Sequence, residues 1–415
     1  MEYTGWVDSL PISGEAALCV EEDGLALITL FDAHHIPYAD VNAFEIRDYA
    51  VHISTEAGAF TIARLGNACE PFYDELYAAY NKKVRKALFV GKTPLLKAKG
   101  EYRYAENGIT AKGSAPIEVY GDCILILPPN TEARRVPMCF VTAVEKGDFA
   151  LTLRLDPGES YTFSKLGYDS APFEDVLTKR LQALRKKALE NVKALDPALG
   201  TAQASAIAKL MPEGLAARTG ELAAIAPSFV RALEEKVKES RSAESYAVLK
   251  TICAKEQICV GIRKGFEKWA DAKADIPGEE GVFDEPEDAA AANGEEKTMV
   301  WMIAPGENGG VAAVEFAVAE DESAATFVYR FQDGFEVFVR AFNRAIEAIA
   351  FKREVIRLSD AELQKPEYAE YAMAIRRNAS LGFIRRCFAG RVIHYSPERW
   401  KQGLLEYMGQ KRSDS

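Results

Sequence analysis

The chain has 415 residues, 48% apolar and 27% charged, with 51 basic and 62 acidic side chains and a net charge of −11. That balance belongs to a folded protein and excludes a collagen-like, disulfide-scaffold or mainly disordered chain; the length predicts two to four domains. No run approaches the roughly 20 apolar residues that span a bilayer, and the acidic start Met1-Glu2-Tyr3-Thr4-Gly5 has no signal-peptide character, so a cytoplasmic location is expected.

The first 95 residues carry 7 basic against 14 acidic side chains, and residues 276–296 carry 8 acidic and no basic ones. Such a surface repels phosphate and anionic lipid, whose binding relies on clustered Lys and Arg. A nucleic-acid partner is therefore excluded and membrane association disfavoured. The seven cysteines, Cys19, Cys69, Cys123, Cys139, Cys253, Cys259 and Cys387, are scattered; only Cys253 and Cys259 are close, without the spacing of a zinc knuckle. Free thiols in a reducing compartment are expected.

An internal repeat dominates the first half. Thr61-Ile62-Ala63-Arg64-Leu65-Gly66 aligns with Thr162-Phe163-Ser164-Lys165-Leu166-Gly167, and the match runs on through Pro71-Phe72, Asp74 and Leu76 to Pro172-Phe173, Asp175 and Leu177. Upstream, with the offset shortened by one residue, Ile36-Pro37, Ala43, Glu45 and Asp48-Tyr49-Ala50-Val51 meet Val136-Pro137, Ala143, Glu145 and Asp148-Phe149-Ala150-Leu151. Residues 1–92 and 96–193 thus read as two copies of one module. Alternation of Leu25, Leu27 and Thr29, of Tyr49, Val51 and Ile53, and of Phe60 and Ile62 marks half-buried strands. Glu56-Ala57-Gly58 and Asp156-Pro157-Gly158 are hairpin turns by composition. Pro71 and Pro172 stand near helix starts. Beyond them Phe72, Leu76, Tyr80, Val84 and Leu88, and Phe173, Leu177, Leu181, Leu184 and Ala188, form one apolar stripe per helix.

About seven short strands followed by one amphipathic helix resembles the pleckstrin-homology-like superfold, with Ile36-Pro37-Tyr38-Ala39-Asp40-Val41 and Phe44-Glu45 similar to the central strands of bacterial members. The resemblance implies an α+β fold of tandem barrel or sandwich modules, each closed by its C-terminal helix. It implies a binding role, because the superfold hosts lipid, peptide and protein binders. The first hairpins, Ser9–Glu15 and Glu106–Lys112, hold a single Lys, so phosphoinositide binding does not carry over.

Further along, residues 201–256 read as two or three short helices broken at Pro212-Glu213-Gly214. Ile258-Cys259-Val260-Gly261-Ile262 reads as the start of a new sheet, and 276–296 as an acidic disordered linker. Residues 297–357 read as strands followed by a helix from about Gly334 to Arg357: a divergent third module, or a small unrelated α+β domain. Residues 360–408 read as a helical tail whose Arg376-Arg377, Arg385-Arg386 and Arg391 are either a solvated, salt-bridged cap or a surface for an anionic partner.

The sequence offers no recognisable site of chemistry. Gly91-Lys92-Thr93 lacks the leading glycine of a phosphate loop, which falls on Lys86, and Gly306-Glu307-Asn308-Gly309-Gly310 has the wrong spacing for a dinucleotide fingerprint. The histidines His34, His35, His52 and His394 form no metal-ligand spacing, and adjacent His34 and His35 point to opposite faces of a strand. The repeated acids Glu45 and Glu145, Asp48 and Asp148, and Asp74 and Asp175 read as turn, cap and helix-end charges. No catalytic, cofactor-binding or metal-binding residue is nominated and no cofactor is expected. The expected role is a non-enzymatic cytoplasmic scaffold whose modules bind protein or peptide partners. The alternatives are a peripheral membrane adaptor, or an enzyme with its site where the helical segment meets the third module.

Overall fold

A computed structural model describes residues 3–10, 12–106, 108–155, 158–240, 243–264, 298–306, 309–316, 325–394 and 396–408. The expected linker 276–296, Asp156-Pro157 and Glu307-Asn308 lie outside them. In chain order come β1 (Tyr3–Asp8), β2 (Ser13–Val20), β3 (Gly24–Ile28), β4 (Ala33–Pro37), β5 (Val41–Arg47), β6 (Ala50–Thr55), β7 (Ala59–Ala63) and α1 (Cys69–Ala87). Then follow β8 (Leu96–Glu106), β9 (Ile109–Val119), β10 (Cys123–Ile126), β11 (Arg134–Pro137), β12 (Ala143–Gly147), β13 (Ala150–Arg154), β14 (Ser160–Ser164) and α2 (Ser170–Leu195). The rest comprises α3 (Thr201–Leu210), β15 (Ala217–Arg218), α4 (Thr219–Ile225), α5 (Pro227–Glu239), α6 (Ala243–Ile252), β16 (Cys259–Lys264), β17 (Thr298–Pro305), β18 (Val311–Phe316) and β19 (Ala325–Arg330). It ends with α7 (Phe335–Ala348), α8 (Glu354–Arg357), α9 (Asp360–Leu363), α10 (Ala369–Arg377), α11 (Ala379–Cys387), β20 (Phe388–Ile393) and α12 (Pro397–Tyr407).

The protein is mixed α+β, with three antiparallel sheets. The first two have seven strands each in one shared order: β4-β3-β2-β1-β7-β6-β5 and β11-β10-β9-β8-β14-β13-β12. Their registers correspond as well. Gly24 faces Pro37 where Cys123 faces Pro137, and Glu45 faces His52 where Glu145 faces Thr152. Each sheet is followed by a helix with proline as its third residue, a position whose missing amide hydrogen has no intrahelical partner in any case. The apolar stripe of α1 is buried from Phe72 to Leu88, and Phe72 stands edge-on to Tyr3 at 5.2 Å. On α2, Phe173 meets Phe163 at 5.3 Å. The third sheet runs β15-β16-β17-β18-β19-β20, drawing strands from both sides of residues 297–357. Gly261 of β16 lies under the buried Trp301, whose ring would stand 2.2 Å from any Cβ there.

The chain divides into two compact units: residues 1–181, 347–351 and 358–382, and residues 182–346, 352–357 and 383–415. Four local expectations change. Residues 201–256 hold four helices, α3 to α6, and the short strand β15 in place of two or three helices. Tyr49 is not in a strand; Asp48 and Tyr49 take φ of +53° and +59° and form the turn between β5 and β6. The helix expected over Gly334–Arg357 breaks after Ala348, because Ala350 and Phe351 are both left-handed. The tail is not wholly helical: Phe388–Ile393 is strand β20, half-buried along most of its length instead of alternating, so period-2 patterning does not mark it. No described helix is long and apolar enough to cross a membrane.

Candidate functional site

The residues that carry chemistry are dispersed. His34 stacks on Phe60 at 5.2 Å, while His35 turns the other way toward Glu21 and Asp23, at 3.6 and 3.5 Å. Those three exposed side chains are one group of metal-ligand type among the described residues. The second sheet explains the corner: Arg135 holds the place of His35 and donates to Asp122, the counterpart of Asp23, at 3.0 Å. The fold places a nitrogen-bearing side chain, His35 or Arg135, beside that aspartate in both sheets. His52 pairs with Thr61 across the strand at 3.2 Å. Burial pushes the Cys253 thiol up to about 11 and that of Cys259 up to about 12, keeping both protonated at neutral pH. Of the repeated acids, Glu145 forms a fork with Arg154 at 3.0 Å and Asp175 pairs with Lys179 at 2.6 Å.

In the second unit a polar line crosses the third sheet. Glu315 of β18 accepts from Ser245 of α6 at 3.1 Å and from Thr326 of β19 at 2.6 Å. The Thr326 oxygen also meets His394 Nε2 and Trp400 Nε1, each at 2.9 Å. The inventory of Thr326 is then full. Its one proton goes to the Glu315 carboxylate and its two lone pairs face the indole N–H and the imidazole. The arrangement ties β18, β19, the residue after β20 and the helices α6 and α12 together.

The most developed surface lies in the first unit. β5 is an edge strand, and edges leave backbone donors and acceptors unpaired. Here the chain covers its own edge. Phe44 donates its amide hydrogen to the Pro129 carbonyl at 2.9 Å, Thr131 donates to the Asn42 carbonyl at 3.1 Å, and Ala43 and Asn130 form an antiparallel bridge. The inserted segment is the connection between β10 and β11. It lies over an aromatic trough in which Phe44 stands 5.6, 5.6 and 5.1 Å from Tyr73, Tyr77 and Tyr80 of α1. Tyr77 donates to the Leu127 carbonyl at 2.5 Å and Tyr80 to that of Asn130 at 3.1 Å. Tyr80 also accepts from the buried Arg377 of α10 at 2.6 Å. Burial pulls the Arg377 guanidinium below its usual range, against the opposing pull of the Tyr80 hydroxyl. Arg376 pairs with Glu56 at 3.2 Å. A bidentate fork from Arg85 to Glu118, at 2.7 and 2.8 Å, with Tyr120 also donating to Glu118 at 2.7 Å, completes the joint.

The corresponding edge of the second sheet, β12, is exposed at all five residues and, among the described residues, pairs only with β13. Val144 stands where Phe44 stands, and Glu174, Thr178 and Leu181 replace the three tyrosines. The turns beside the two edges match: Tyr49 is 86% exposed and Phe149 90%, both left-handed at φ of +59° and +57°. The joint is a site that repeat matching passes over, since matching weighs what the copies share. Its signal is where they differ: tyrosines on one helix only, and Pro128-Pro129 in one connection only. No protein-family model matches the chain, and no curated protein matches it in sequence.

Proposed function

We propose that this chain is a non-enzymatic cytoplasmic scaffold of pleckstrin-homology-like modules that takes protein partners by strand addition at the edge of β12. The observation that carries the reading is the contrast between two equivalent edges: β5 holds a segment of backbone, while β12 stands bare in the same register. Strand addition takes its affinity from main-chain hydrogen bonds and its selectivity from the side chains beside them. At β12 those neighbours are Val144, Lys146 and Glu174, which favour an extended segment with one apolar residue and mixed charge. The shared strand order and the helix after each sheet support the module assignment, and seven thiols without a disulfide suit a reducing compartment.

The test is selection of extended peptides from a random library on the full chain, followed by amide hydrogen exchange of the complex. Bound peptides should slow exchange across residues 143–147, and Val144→Pro should abolish binding. By register the Val144 amide corresponds to the outward-facing Phe44 amide, and proline is tolerated on an edge strand where the N–H faces solvent. Peptides that bind without protecting 143–147, or a library that yields none, would overturn the reading. A second reading, an enzyme at the Glu315–Thr326–His394 line, has in its favour the assembly of acid, hydroxyl and imidazole where α6 meets the third sheet.

A further inference from the structure

We propose that the partner of β12 is a second copy of this chain, which inserts its Thr29–Asp32 turn there and so joins copies head to tail. The inference rests on β12 being a docking edge and adds the identity of what docks. Its basis is the joint already formed within the chain.

The turn between β3 and β4 is the counterpart of the segment that covers β5. Besides the shared register of the flanking strands, the Tyr38 amide donates to the Asp23 carbonyl at 2.9 Å, as the Met138 amide does to that of Asp122 at 2.9 Å. In the second sheet this connection is buried at Leu127, Pro128 and Ala133 and half-buried between them. In the first sheet the same connection is bare and apolar: Leu30 is 91% exposed, Phe31 96%, and Ile28 beside them is exposed as well. Single exposed apolar residues are common. Two on one tight turn, a place that normally takes Gly, Asn, Asp or Ser, with a third at the end of β3 beside it, are not.

The turn is also held in shape. Thr29 donates its amide hydrogen to the Asp32 carbonyl at 2.8 Å, and its hydroxyl oxygen accepts from the amides of Asp32 at 3.0 Å and Phe31 at 3.4 Å. A turn already ordered loses little freedom when it docks. Charge favours the same pairing: residues 1–95 carry 7 basic and 14 acidic side chains, whereas 96–195 carry 15 and 13. Asp32 on the turn would meet Lys146 of that edge, which pairs with Glu174 within its own chain. Two acidic ends repel, so the contact is heterologous, and a heterologous contact that does not close gives open chains of copies. The inserted element is small and β12 lacks the tyrosines of the internal joint, so the contact belongs to the weak, transient class of interfaces.

Sedimentation equilibrium of the full chain up to several hundred micromolar tests this, in the range expected of weak contacts. The weight-average mass should climb with concentration past twice that of one chain. Leu30→Asp/Phe31→Asp keeps the edge and loses the turn; Val144→Pro keeps the turn and loses the edge. Each variant alone should remain at the mass of one chain. Their equimolar mixture should reach a dimer and stop, because only one productive pairing remains. Wild-type protein that stays at one-chain mass throughout would overturn the inference, as would variants that assemble alone or a mixture that stays monomeric. If peptides protect 143–147 and the chain stays monomeric, the docking edge stands and only its occupant is wrong; if neither occurs, both fall.

Discussion

Glu118 shows how one side chain secures the joint. Burial pushes its carboxyl up, but the Arg85 fork and the Tyr120 hydroxyl outweigh it and hold the group below the usual carboxylate range. A carboxyl depressed on folding adds stability above its unfolded value, near 4.5, and that contribution drains away as pH falls through the lower folded value. Glu118→Gln should therefore cost about 2 kcal/mol at neutral pH. Urea midpoints should show the gap between the two proteins narrowing as pH falls below that unfolded value; a gap that is constant or widens would contradict the pairing. Tyr49 and Phe149 give the opposite case. Left-handed backbone is costly for a residue with a side chain, and these rings are exposed, so Tyr49→Gly or Phe149→Gly should gain about 0.5–1 kcal/mol by chemical denaturation. Destabilisation would mean that the rings pack on something. Neither turn was legible in the sequence, because Asp-Tyr and Asp-Phe lack the glycine that announces such a hairpin.

Among elements, the helices were the easiest to read, since an apolar stripe with proline at its start signals both direction and buried face. Phe72 and Phe173 are both fully buried. Either one replaced by Ala should cost about 3–5 kcal/mol, and a measured loss below about 1 kcal/mol would contradict the packing of its helix. Strand pairing was harder. Period-2 alternation finds strands buried on one face, so β6 and β7 were visible while β20 was not. β20 meets β19 through a register shift at Val328/Tyr329. The β5 joint was invisible for another reason: apolar periodicity reports which face of an element is covered, never what covers it. Tyr73, Tyr77 and Tyr80 could be read as one helix face, but the segment 127–131 above them could not.

The division of the whole molecule was the least legible. Residues 347–351 and 358–382 belong with the first 181 residues, although some 165 residues of chain intervene. Nothing local in Arg377 announces that it will be buried against Tyr80. Two compact units predict unfolding in more than one step. Of the four tryptophans, Trp301 and Trp400 are buried in the second unit, Trp6 is partly exposed in the first, and Trp269 lies outside the described residues. Tryptophan fluorescence should therefore follow mainly the second unit, and its denaturant midpoint should part from that of far-UV circular dichroism. Glu118→Gln should move the circular-dichroism transition and leave the fluorescence midpoint in place; coincident curves shifting together would mean a single cooperative block.

The covered trough over Phe44, Tyr73, Tyr77 and Tyr80 also limits how this chain can be cut. A piece ending near residue 92 would strip away Leu127 and Pro128 and leave four aromatic rings wet, so it should clump or cling to column matrices rather than behave as a tidy miniature. The two halves are hard to part: the first has a floor that needs the second as its roof.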